Sequence, residues 1–80
     1  MTAAEITEAL SARELEVAKL LASGDSCREI GFKLGISPKT SDTHRGHALS
    51  KLSCRNAVDL TRLLIAAGLV ELPAAAVRAA

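Results

Sequence analysis

Residues 26–55, SCREIGFKLGISPKTSDTHRGHALSKLSCR, hold two stretches of helical patterning parted by a glycine. Ser26 and Glu29 have the spacing of a capping box: the serine oxygen accepts from the backbone of the glutamate, and the carboxylate reaches back. Ile30 and Leu34 then share one side. Gly35 supplies a turn, and Ile36 is placed to anchor it in the core. Ser37-Pro38 opens the next helix, with a cap and a proline at the first position, where its missing N–H costs nothing. That helix can run to Leu52. Helix, tight turn, helix is the layout of a helix-turn-helix, whose second helix can lie in the major groove of duplex DNA.

The same segment carries the positive charge. It holds six bases (Arg28, Lys33, Lys39, Arg45, Lys51 and Arg55) against two acids, Glu29 and Asp42. Residues 1–25 hold two bases against five acids, so the formal net charge of +1 hides one basic block. With one Phe and no Trp or Tyr, the core must come from aliphatic residues and Ala. No run alternates with period two, so an all-α fold of four helices is expected. Eighty residues make one small domain of modest core. The longest apolar stretch, Leu63 to Val70, is too short to cross a bilayer. The N-terminus carries acids and lacks the basic region of a signal peptide. A cytoplasmic protein is expected, with Cys27 and Cys54 as free thiols.

Ser11 and Glu14 repeat the capping-box spacing, with Leu10 and Leu15 as a flanking hydrophobic pair, and open a first helix. Val17, Ala18, Leu21 and Ala22 continue its inward face, and Gly24 is placed as a left-handed cap. Residues 1–9 show no capped apolar periodicity and read as a linker or leader. Gly31, inside the second helix, costs about 1 kcal/mol against Ala. Close approach of another helix would offset that cost. Asn56 caps a fourth helix, with Asp59 near the positive end of its dipole. Gly68 closes it, Leu69 and Val70 fold back as an apolar plug, and residues 71–80 are expected to fray. The folded domain is thus assigned to residues 10–70. On the fourth helix Ala57, Leu60, Leu63, Leu64 and Ala67 form one apolar arc. Val58 and Ile65 fall on a second stripe, separated by Thr61 and bordered by Arg62. Such a stripe suits a partner, and paired half-sites are how helix-turn-helix modules gain affinity.

These residues resemble the C-terminal DNA-binding domain of the LuxR/NarL family of bacterial transcription regulators. The likeness begins at LSARELEVAKLLASG, where the family has Leu-Thr-x-Arg-Glu and then Glu-Val-Leu. It continues through SCREIGFKLGISPKTSDTHR, against Ser-Asn-Lys-Glu-Ile-Ala, Leu-x-Ile-Ser and Thr-Val-Lys-x-His-Arg. It ends in KLSCRNAVDLTRLLIAAGLV, against Lys-Leu-x-Val, Asn-x-Val-Glu-Leu and a closing Gly-Leu. The resemblance spans Leu10 to Val70. It implies that the third helix enters the major groove, that the second supports it, and that the fourth pairs two copies. Carried over by position, Thr40, Ser41, Asp42, Thr43, His44 and Arg45 fill the groove-entering stretch, with His44 structural and turned to the core. Cys27 and Arg28 open the second helix near the DNA backbone. The chain departs from the family in Asp42 for a basic residue, Gly46 for a longer polar one, Ser41 for Val, and Ala48 for a larger aliphatic. Gly31 stands for Ala and Ala18 for Leu.

The expected DNA contacts follow. Lys39, Arg45 and Lys51 suit phosphate or base edges, and Arg45 suits guanine because its planar fork meets two acceptors. Ser37 and Thr40 can donate to phosphate at the helix start. His47 is expected to be exposed and within reach of phosphate. Asp42 cannot hold a phosphate, but it can accept from a cytosine amino group. Cys27, His44, His47 and Cys54 do not have the spacing of a zinc module. No metal, cofactor or catalytic residue is expected. Duplex DNA and a second copy through Val58, Thr61, Arg62 and Ile65 are the expected partners, with RNA polymerase a further candidate. A protein-interaction module that has lost DNA contact, or a sigma-factor-type promoter-contacting domain, is the alternative.

Overall fold

The computed structural model describes residues 1–71. Five helices follow in order: α1 (Ala3–Ala9), α2 (Ala12–Ala22), α3 (Cys27–Leu34), α4 (Pro38–Lys51) and α5 (Ala57–Ala66). No strand occurs among the described residues. The all-α expectation holds, with one helix more than the four expected.

The extra helix is α1, in the segment read as linker or leader. Thr2 caps it: its side chain accepts from Glu5 N at 3.2 Å, and its N–H donates to the Glu5 carboxylate at 3.1 Å. Ile6 is fully buried and Leu10 nearly so, both in the core with Ala18, Leu60 and Leu64. A helix this short is marginal alone, so packing of Ile6 holds it where periodicity was too brief to signal it. The expected fraying of the tail concerns residues that, beyond Glu71, lie outside the described residues.

The capping boxes at Ser11/Glu14 and Ser26/Glu29 both form. Gly24 takes φ +98°, and the Asp25 N–H returns to the Leu20 carbonyl at 3.1 Å, closing α2. Gly35 takes φ +69° in the turn between α3 and α4. Ser37 caps α4 by accepting from Thr40 N at 3.0 Å, and Pro38 is its first residue. Asn56 accepts from Asp59 N at 2.9 Å at the start of α5. Leu69 and Val70 fold back on the core, the Leu69 N–H reaching the Leu64 carbonyl at 2.9 Å.

α2 is the hub: α4 and α5 both pack on it, and α3 packs on α4. Gly31 is buried, but its close neighbour is the turn rather than another helix flank. A Cβ there would stand 2.6 Å from the Ile36 carbonyl oxygen and 3.2 Å from the Ser37 carbonyl carbon. The missing side chain lets the chain double back tightly after α3, which sets the entry angle of α4. Ile36, expected in the core, is only half-buried.

Candidate nucleic-acid interface

α4 has two unlike sides. Ser41 and Ala48, two turns apart, are fully buried. Ser41 spends its hydroxyl proton on the Ser37 carbonyl at 3.2 Å, so a polar residue is buried on α4 without an unpaired donor. Lys39, Asp42, Thr43, Gly46, His47 and Ser50 are exposed on the remaining surface. That surface is free of large apolar side chains, which suits a polar partner.

At its start, Ser37 Oγ donates to Thr40 Oγ1 at 2.8 Å while accepting from Thr40 N. Thr40 therefore keeps its own hydroxyl proton for an outside acceptor. Thr43 Oγ1 donates back to the Lys39 carbonyl at 3.1 Å. Lys39 and Arg28 make no ion pair among the described residues, so both cations are available. Arg45 Nη1 lies 3.4 Å from Asp42 Oδ1, and Cys27 Sγ lies 4.0 Å from the same oxygen. Cys27, Asp42 and Arg45 thus form one cluster across the α3/α4 seam.

The far end of α4 is tied down instead. Lys51 Nζ is 2.7 Å from Glu14 Oε1, and His47 Nδ1 is 3.5 Å from Glu14 Oε2. Glu14 is 5% exposed and also accepts from Ser11 N at 2.9 Å. The Lys51 ammonium, and after it the Ser11 N–H, hold its carboxyl down at about 2. Lys51 and His47, expected to meet phosphate, are engaged with α2 through a residue that sequence reasoning had used only as a cap. Nothing local links positions 14 and 51.

His44 is half-buried, and its buried Nδ1 has no hydrogen-bond partner among the described residues. Ligand atoms of Glu14, His44 and His47 come within 4.8 Å of one another. A divalent cation there would face the Lys51 ammonium at close range, and like charges at that distance repel. The Glu14 carboxylate there is instead paired with Lys51. Cys27 and Cys54 are free thiols. Burial, and after it the Asp59 carboxylate, push the Cys54 thiol up.

On α5, Ala57, Val58, Thr61, Arg62 and Ile65 line a shallow apolar trough, with Val58 56% exposed. Thr61 Oγ1 donates to the Ala57 carbonyl at 2.8 Å, so its hydroxyl does not interrupt the apolar surface. The four residues expected at a dimer face do come together. Sequence reasoning did not single out Phe32, which is 90% exposed on α3 beside Ile36 and Pro38.

A central helix and a helix-turn-helix whose second helix keeps one side exposed and polar have the layout of nucleic-acid-binding modules. Residues 8–64 match the family described as bacterial regulatory proteins, luxR family. The chain belongs to that family, and its helix-turn-helix is a DNA-binding domain of that type. It is 45% identical over 53 residues to the transcriptional regulatory protein UhpA of Escherichia coli strain K12, covering 66% of this chain and 27% of UhpA. It is 40% identical over 60 residues to the response regulator UvrY of the same strain, covering 75% and 28%. It is 38% identical over 64 residues to the response regulator GacA of Pseudomonas protegens, covering 80% and 30%. The chain thus spans under a third of the length of these relatives. No solved structure gives a significant match. No helix among the described residues is long and apolar enough to cross a membrane.

Proposed function

We propose that this chain is the output domain of a cytoplasmic response regulator, binding a specific duplex DNA sequence as a dimer. The observation that carries this reading is α4: one side packed on α2 and α3, the other exposed and polar, with Lys39 and Arg28 unpaired beside it. Arg28, Lys39, Ser37 and Thr40 set the domain on phosphates, which fixes register and orientation. Asp42, Thr43, Arg45 and Gly46 face base edges, with Cys27 supporting Asp42. Lys51 and His47 lie at the far end of α4, where Lys51 keeps 45% of its side chain exposed and can meet a phosphate while paired to Glu14. Two copies joined through Val58, Thr61, Arg62 and Ile65 would read two half-sites. The relatives named as response regulators support placing such a domain downstream of a signal-receiving one.

Binding to duplex DNA across a salt series tests this. The affinity should fall steeply with salt, because each neutralised phosphate releases counterions. Lys39→Ala should flatten the slope by about one unit, and Arg45→Ala should cost roughly tenfold or more on a selected sequence. No binding at about 50 mM salt would sink the reading in favour of a protein-interaction module.

A further inference from the structure

Gly46 sits in the middle of α4, where glycine is less favourable than alanine. Nothing among the described residues accounts for it. Its φ is not positive, so conformation does not demand it, and an added Cβ would meet nothing within 4 Å. Gly31 shows the contrast, since its Cβ would collide with the turn backbone. The space beside Gly46 is thus open to a partner. Gly46 lies on the exposed side of α4, one helical turn after Asp42.

Asp42 is the second unusual residue of that surface. A carboxylate facing polyanionic DNA is repelled unless its charge is offset and its lone pairs meet a donor. Both its contacts, Arg45 Nη1 at 3.4 Å and Cys27 Sγ at 4.0 Å, fall on Oδ1. Oδ2 has no hydrogen-bond partner among the described residues, and the side chain is 66% exposed. The guanidinium offsets the charge while one oxygen stays free. The donor a carboxylate takes from a base edge in the major groove is the exocyclic amino group of cytosine.

We propose that Gly46 and Asp42 together form a specificity notch, in which the bare turn at Gly46 lets a base pair approach α4 closely and Asp42 Oδ2 accepts from a cytosine amino group. This deepens the DNA-binding reading and rests on it. The notch discriminates by acceptor chemistry and by space, where a basic side chain would only hold the phosphate backbone.

The experiment is selection of bound duplexes from a random pool by the full chain and by its Gly46→Ala, Asp42→Ala and Asp42→Asn variants, with thermal unfolding of each. The wild-type chain should select duplexes with one position fixed as cytosine. Asp42→Ala should relax that position alone, by about tenfold in relative affinity. Asp42→Asn should move it toward adenine, because an amide both accepts and donates. Gly46→Ala should unfold at a higher temperature yet bind the selected duplex roughly tenfold more weakly. The notch is refuted if Gly46→Ala binds the selected duplex as tightly as wild type, or if Asp42→Ala selects the same sequence at every position. A wild-type chain that retains no duplex overturns the DNA-binding reading itself, and the notch with it.

Discussion

Two helix-interior glycines face opposite ways in this domain. Gly31 is buried against the turn that launches α4, and Gly46 looks out from α4 into open space. Both cost helix stability, and only the first is offset within the fold. A residue type alone thus says little. What its absent side chain would touch separates a folding constraint from a binding one.

The comparison predicts opposite signs for the same substitution. Gly46→Ala should gain about 1 kcal/mol by helix propensity. Gly31→Ala must push a Cβ to 2.6 Å from a backbone oxygen, and backbone yields less readily than a side-chain tip. Overpacking of this kind costs about 1–3 kcal/mol, and at 2.6 Å the upper part of that range is expected. The midpoint of urea unfolding is the measurement. An unchanged midpoint for Gly31→Ala would mean that the turn shifts freely, and the two glycines would no longer differ in kind.

The inward side of α4 is held differently at its other end, by charge rather than close backbone packing. Glu14→Gln keeps a side chain able to complete the Ser11 capping box but removes the carboxylate from Lys51. A loss of about 1–2 kcal/mol at neutral pH is expected. The pH dependence has a definite sign. The Glu14 carboxyl is lowered to about 2 in the folded state, below its unfolded value of about 4.3. Its stabilisation is complete above the unfolded value and fades as pH falls through the folded one. Wild type and variant should therefore converge between about pH 4 and 2 in chemical unfolding. A constant gap down to pH 2 would show that the Glu14–Lys51 pair contributes little.

Local spacing made most of the fold legible. The serine and asparagine caps, Pro38 at the first position of α4 and the left-handed glycines 24, 35 and 68 all depend on residues within one turn of each other. α1 was legible by the same rule, since Thr2 and Glu5 repeat the spacing of Ser11 and Glu14. It went unread because seven residues are too few to show an apolar period. The candidate interface divides likewise. The exposed row on α4 follows from helical register, which places Asp42 and Gly46 on one surface. The engagement of Lys51 and His47 by Glu14 does not, because it joins chain segments brought together only when α2 meets α4. The unpaired Nδ1 of His44 belongs with these, since it depends on what surrounds the ring in three dimensions.

A third position sharpens the contrast between the two glycines. Ser53, just past α4, is the one described residue other than glycine with positive φ, at 55°. The Cys54 N–H reaches back to the Leu49 carbonyl at 2.9 Å, so Ser53 occupies the left-handed cap position that glycine fills at the ends of α2 and α5. Holding an L-residue there costs about 1–2 kcal/mol, part of which a glycine would lose again as extra freedom in the unfolded chain. Ser53→Gly should therefore raise stability by about 0.5 kcal/mol, the smallest of these effects. It lies away from the exposed row of α4, so duplex affinity should not change. A gain in stability with unchanged binding at Ser53, set against a gain with weakened binding at Gly46, would separate a glycine missing from the fold from one kept for a partner. Loss of binding in both variants would instead point to stiffening of α4 as the shared cause.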